Sequence, residues 1–163
     1  MNLNGNLRPE SAARAAVSIA TLFGIGFAPA APGTVASIAA LPAAWLIDRF
    51  TGRIGLLLAT ILALAIGTWA CELYARAKGQ NDPSECVVDE LAGQWIACLF
   101  APLSVAGFGI AFFLFRVFDI LKPWPVSFAE KEVPGGLGIM ADDVVAALIS
   151  GVILLVLTYL GFI

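Results

Sequence analysis

Long apolar runs alternate with short polar clusters along this chain, and the runs have the length of helices rather than the two-residue alternation of strands. Residues 144–163 are the clearest run, twenty positions without a charge, which at about 1.5 Å per helical residue cross a hydrocarbon core of roughly 30 Å. Residues 54–70 form a second run and residues 35–47 a shorter one, joined by a polar link at 48–53. Residues 91 to 118 form a 28-residue stretch that is apolar but for Gln94, Ser104 and Arg116, with Pro102 near the middle. An unbroken helix there would put Asp89 and Asp119 on opposite sides of a membrane, whereas a break at Pro102 returns them to the same side. The hairpin is the expected form, with arms of about 15 residues that are short for a full crossing.

The polar clusters carry their own local signals. Residues 1–14 are polar and expected at the membrane surface, and residues 17–28 form a short apolar run. With Arg8 and Arg14 ahead of it and Ala28-Pro29-Ala30 behind, that run has the outline of a cleavable secretory signal, but an interfacial or re-entrant helix fits a membrane protein better. Pro29 to Thr34 is a rigid turn, with Thr34 suited to cap the next helix and Gly33 to expose backbone N–H groups that can hold a phosphate. Asp82-Pro83-Ser84-Glu85 reads as an N-cap, a proline in the first turn and a capping-box acid, which gives Asp82 a structural role beside its standing as a secondary site candidate. Gly135 to Gly138 reads as a mobile loop that leaves Asp142 and Asp143 at the start of the last helix.

Composition turns these runs into a class. Of 163 residues, 60% are hydrophobic and 13% charged, and the expected architecture is all-α: a polytopic integral membrane bundle with short and in places re-entrant helices, forming one domain over residues 1–163. A net charge of −3 without a basic stripe argues against a nucleic-acid partner. The chain has no histidine, which excludes Ser-His-Asp and Cys-His catalysis and the usual His-rich metal sites. Cys71, Cys86 and Cys98 are odd in number and lack metal-site spacing, so they read as small apolar helix residues rather than a disulfide framework. Chemistry must then rest on carboxylates, Lys, Arg, hydroxyls or metal.

The carboxylates are unevenly spread. Ten of the twelve acids lie between Glu72 and Asp143, and Asp89, Glu90, Asp119, Asp142 and Asp143 each sit within a few residues of an apolar segment. A charge in such surroundings costs several kcal/mol unless it is paired, hydrated or bound to a metal. Solvated helix ends would account for any one of them and poorly for five. Asp89 and Glu90, with Gly93 and Gln94, form a narrow polar face at helical spacing, and two adjacent acids aimed into a bundle suit a metal. Asp119 lies in the last turn before Pro123, where the helix dipole disfavours a carboxylate; Arg116 and Lys122, three residues to either side, or a bound cation would offset this. Counted over the expected spans, seven of nine basic residues fall on the side of these acids and only Arg49 and Arg53 on the other, which places the acids at the cytoplasmic face.

Taken in order, five segments resemble the phosphatidylglycerophosphatase A family. They are Gly24-Ile25-Gly26 with Ala31-Pro32-Gly33-Thr34-Val35-Ala36-Ser37; Asp82-Pro83; Val88-Asp89-Glu90-Leu91-Ala92-Gly93-Gln94-Trp95; Phe115-Arg116-Val117-Phe118-Asp119-Ile120-Leu121-Lys122-Pro123-Trp124-Pro125; and Gly135-Gly136-Leu137-Gly138-Ile139-Met140-Ala141-Asp142-Asp143. Ala36, Cys86 and Ala147 depart from the family pattern without removing a charged group. The resemblance implies a magnesium-dependent lipid phosphatase of the bacterial cytoplasmic membrane, multi-pass with its site facing the cytoplasm, that converts phosphatidylglycerophosphate to phosphatidylglycerol and phosphate.

Under that resemblance Asp89, Glu90, Asp119 and Asp143 are the expected catalytic acids and ligands of Mg²⁺, with Asp142 either a fifth ligand or a helix cap. Arg116 and Lys122 would grip phosphate oxygens, helped by backbone N–H groups near Gly33 and Thr34. The nucleophile is metal-activated water or a carboxylate; the lack of an Asp-x-Asp motif favours water. The competing expectation is a membrane cation transporter or channel that uses the same acids as an ion path. A phosphatidyltransferase fits less well, since its Asp-Gly-x-x-Ala-Arg signature is missing.

Overall fold

The computed structural model describes residues 9–163, and the polar segment 1–8 lies outside them. Among the described residues every regular element is helical: α1 (Pro9–Ala20), a 3₁₀ turn (Ile25–Phe27), α2 (Pro32–Lys78), α3 (Val88–Phe100), α4 (Val105–Leu121), α5 (Val126–Glu132) and α6 (Gly135–Tyr159).

The 47 residues of α2 would span about 70 Å as one rod. They do not form one, because Gly52 is non-helical (φ 72°, ψ −179°) and the chain doubles back there into two arms. Both outer ends of α2 meet the chain around the start of α3: Gly33 abuts the side chain of Glu90 in its first turn, and Lys78 Nζ lies 2.7 Å from Oε1 of Glu85 just ahead of it. The polar link expected at 48–53 is thus a single left-handed residue, a conformation glycine adopts without strain, and helix continues on both sides.

The break at Pro102 is present. α3 ends at Phe100, Ser104 caps α4 by accepting from Gly107 N at 2.9 Å, and the hairpin brings Glu90 and Asp119 to one end of the molecule. The opposite end is closed by Arg53, which pairs with the buried Asp48 at 3.3 Å and donates to the Cys98 and Ala101 carbonyls at the C-terminus of α3. Cys98 O also accepts from Ala101 N at 3.2 Å, so the guanidinium adds a charged donor at the helix C-terminus while facing a buried acid.

Helix contacts rest on small residues. Ala36, Ala40 and Ala44 of α2, Ala92 and Ala97 of α3, and Ala146 and Ala147 of α6 are at most 1% exposed, so backbones approach closely. Outward faces are apolar: Ile54, Leu57, Leu58, Ile61 and Leu62 of α2 and Val152, Leu155 and Val156 of α6 are exposed. Only 28% of the most apolar stretch of α2 is buried, which does not suit the core helix of a water-soluble protein. α2 and α6 are each long and apolar enough to cross a membrane.

Several local expectations are corrected. The N-terminal helix covers Pro9–Ala20 rather than 17–28, and it ends in left-handed turns at Leu22 and Phe23. Thr34 is not the N-cap of α2; that position is Ala31, with Pro32 in the first turn. Asp82 to Glu85 form a turn, not a capping box, and α3 starts at Val88. Here the Gly26 turn packs on the Glu85 backbone, so closely that a Cβ on Gly26 would meet the Glu85 carbonyl, and Val87 N donates to Ala20 O at 2.8 Å. The Lys78 ammonium holds the Glu85 carboxyl below its usual range. Cys71 and Cys86, read as unpaired, are joined by a disulfide that ties this turn to α2. Gly135 to Gly138 are the first turn of α6 rather than a loop, since Gly136 lies where a Cβ would strike Thr68 O and its N–H donates to Glu72 Oε2.

Removing the Arg53 clamp leaves Asp48 without its cation and takes a charged donor from the Cys98 and Ala101 carbonyls. Arg53→Ala is expected to lower stability by about 2 kcal/mol, and a denaturant titration of the purified protein in detergent measures it.

Candidate active site

Four helix segments supply the site. The first turn of α3 carries Asp89 and Glu90, the last two turns of α4 carry Arg116 and Asp119 with Lys122 as its left-handed C-cap, the third turn of α6 carries Asp142 and Asp143, and the first turns of α2 carry Gly33 and Ser37. Each helix places its acids by the same rule: helical spacing buries the neighbouring small and apolar residues and turns the acids toward a common point.

Oxygens of Glu90, Asp119 and Asp143 lie within 4.8 Å of one another. At an effective dielectric near 20, two full charges at that separation repel by about 3.5 kcal/mol. Part of this is offset by Arg116, which pairs with Glu90 Oε2 and, at 2.8 Å, with Asp119 Oδ2. Ser37 Oγ lies 3.2 Å from the same Glu90 oxygen and 3.0 Å from Gly33 O. Asp89 Oδ1 accepts from Glu90 N at 2.9 Å, and Lys122 Nζ is 2.8 Å from Asp142 Oδ2. The set remains short of positive charge, with Asp89, Glu90, Asp119, Asp142 and Asp143 facing Arg116 and Lys122. Asp143 Oδ2 is buried with no hydrogen-bond partner.

These residues surround a pocket of about 140 Å³ whose wall includes Gly33, Asp89, Glu90, Asp119, Lys122 and Asp143. Asp82 and Asp142 also line it, Asp82 as an exposed residue at the turn before α3. Gly93 sets the depth: a Cβ there would lie 2.6 Å from Phe115 Cζ and 3.2 Å from Asp143 Cβ, so only glycine lets α3, α4 and α6 meet. Gly33 does the same for Glu90, whose Oε1 would be 2.0 Å from a Cβ at that position. Thr34 is half-buried and does not line the pocket. Gln94, read with the acids as one face, is buried, and its Nε2 lies 3.6 Å from Cys98 Sγ, outside the cluster. Ser37 was not among the expected site residues; its position four residues after Gly33, on the same helical face, is the signal that marks it.

The donor set is chemically specific. Carboxylate oxygens without histidine or thiolate suit a hard divalent cation, and the partnerless Asp143 oxygen is an acceptor that such a cation would satisfy.

Because the three acids crowd one another and Asp143 Oδ2 is unpartnered, Asp143→Asn is expected to raise the melting temperature in EDTA by several degrees, and divalent cation to stabilise the wild type more than the variant. Thermal unfolding in detergent, with and without cation, measures both.

A family model described as Phosphatidylglycerophosphatase A matches residues 18–158. Among curated proteins, the Escherichia coli Phosphatidylglycerophosphatase A is 38% identical over 141 residues, which cover 83% of this chain and 79% of that protein. A Bacteroides thetaiotaomicron protein provisionally named a phosphatidylinositol-3-phosphatase is 39% identical over 148 residues, 86% of this chain and 91% of the relative. The Haemophilus influenzae Phosphatidylglycerophosphatase A is 34% identical over 142 residues, 86% and 87% of the two chains. No solved structure matches.

Proposed function

Because the chain belongs to the phosphatidylglycerophosphatase A family of phosphoric monoester hydrolases, we propose that it removes the terminal phosphate of phosphatidylglycerophosphate, at a Mg²⁺ site on the cytoplasmic face of a bacterial membrane. The observation that carries this reading is the convergence of Glu90, Asp119 and Asp143 within 4.8 Å, beside Arg116 and Lys122 and the first turn of α2.

Glu90, Asp119 and Asp143 are the proposed core of the metal site, with Asp89 and Asp142 completing it. A bound divalent cation supplies charge neutralisation for the phosphate dianion and Lewis acidity toward the attacking water. The chain's own part begins with the two cations. Arg116 and Lys122 are held at the pocket by carboxylates, and an entering phosphate offers them oxygens of the same chemistry in exchange. First-turn N–H groups of α2, at Gly33 and Thr34, have no acceptor within the helix and carry its positive dipole end. Ser37 orients Glu90.

In the hydrolysis a water oxygen bonds to phosphorus as the phosphorus–glycerol oxygen bond breaks, and the water's proton ends on the glycerol oxygen. We assign the relay of that proton to Asp89, whose Oδ1 is fixed by Glu90 N. The lipid's acyl chains stay on the apolar, membrane-facing side of the bundle while the headgroup reaches the pocket.

A second headgroup has the support of the Bacteroides relative's name, so phosphatidylinositol 3-phosphate belongs in the same assay. The expected result is phosphate release from phosphatidylglycerophosphate by purified protein with Mg²⁺, abolished by EDTA, and lowered about 10²–10³-fold by Asp89→Asn or by Asp119→Asn. Folded wild-type protein that releases no phosphate from either lipid would overturn the phosphatase reading.

A further inference from the structure

The carboxylate pocket is the first of three neighbouring cavities that share wall residues in series. Asp82, Ile139 and Asp142 line both the pocket and a second cavity of about 330 Å³ whose wall also includes Val133 and Gly135. Val133 is shared in turn with a groove of about 560 Å³ between the second arm of α2 and α6. The groove changes chemistry completely: its walls include Leu64, Ala65, Leu137, Met140 and Val144, and no charged residue. Thr68, its polar member, donates its hydroxyl to Leu64 O at 2.8 Å and is satisfied within its own helix.

The geometry points to this groove as the seat of one acyl chain of the lipid whose phosphate enters the carboxylate pocket, an assignment that rests on the phosphatase reading above. Three observations select that occupant. The change from polar to apolar lining falls at Val133, the residue shared by the second cavity and the groove, as the join between a headgroup and its chain requires. From Ile61 to Thr68 and from Leu137 to Val145 the groove runs roughly 10–12 Å along its helices, most of the ~15 Å depth of one hydrocarbon leaflet. Its floor is also fixed in advance, because Gly136 N donates to Glu72 Oε2 and Gly67 packs against Met140, locking α6 to α2.

An acyl chain gains little by leaving other lipid tails for an apolar groove, so the seat acts through packing and orientation rather than through the hydrophobic effect. It sets the headgroup's approach to the acids, and blocking it is read as lost discrimination between long and short chains.

The test uses the full chain in nanodiscs and phosphatidylglycerophosphate carrying a diazirine midway along one acyl chain. Cross-links are expected at Leu64, Leu137 or Val144, and excess unlabelled phosphatidylglycerophosphate lowers them at least about fivefold, while Leu58 and Leu155 on the outward faces are labelled weakly and without competition. Equal labelling of both faces, or groove labelling that excess substrate does not reduce, means that ordinary bilayer lipid fills the groove and overturns the assignment. In parallel, Ala65→Trp is expected to lower the ratio of kcat/KM for dioleoyl over dihexanoyl substrate about tenfold, and an unchanged ratio also overturns it. Competed cross-linking without phosphate release would sink the phosphatase reading and leave a lipid seat; phosphate release with uncompeted cross-linking would sink the seat alone.

Discussion

Crowding of acids at the meeting point of apolar helices is the constraint on which the rest of the structure depends. Asp89, Glu90, Asp119, Asp142 and Asp143 line one pocket with Arg116 and Lys122 to offset them, and Glu90, Asp119 and Asp143 lie within 4.8 Å of one another, where a pair of full charges costs about 3.5 kcal/mol. Such a cluster persists only if the scaffold over-determines it. The reversal at Gly52, the hairpin at Pro102 and the close approach at Gly93 can each be understood in this way, since each brings a helix terminus to the same end. The small-residue interfaces do the rest: alanine and glycine contacts leave the helices little room to splay and relieve the repulsion.

Much of this was legible in the chain because a charge inside an apolar pattern is conspicuous. Asp89 with Glu90, Asp119, and Asp142 with Asp143 stood out on that ground alone, and the break at Pro102 followed from requiring them on one side. The misreadings share a cause: residues whose local preference and tertiary role differ. Gly135 to Gly138 have the composition of a loop, but Gly136 is glycine because α6 passes close to Thr68 O. Asp82 to Glu85 have the form of a helix start, yet the Gly26 contact, the Val87–Ala20 hydrogen bond and the Cys71–Cys86 bridge hold them as a turn. That bridge was hidden because three cysteines without motif spacing carry no pairing information. Ser37 was missed because a hydroxyl at a helical position is ordinary until its carboxylate partner is known.

The two cations are placed to serve more than one partner. Arg116 bridges Glu90 and Asp119 while Lys122 faces Asp142, so the positive charges neutralise part of the cluster. A phosphate presents the same type of acceptor in the same place, and the exchange of carboxylate for phosphate keeps the number of charge-assisted hydrogen bonds nearly constant. Acids released in this way are then available to a divalent cation, so on the proposed function anion and metal would each favour the other's binding.

A comparison within the molecule separates structural from chemical use of a buried acid. Asp48 at the far end is as buried as the site's acids, yet it faces one guanidinium that also closes the carbonyls of α3. At the other end five acids face two cations, one carboxylate oxygen has no partner, and Arg116 Nε is buried without one. Asp48 Oδ2 is likewise buried without a hydrogen bond, so what separates the two ends is the charge count: one acid faces one cation at the Arg53 end, and an unmatched buried charge costs free energy and contributes nothing to folding. The excess of acid at the Glu90 end is therefore best understood as capacity held for ligands: the pocket is short of positive charge by about what a metal ion would bring.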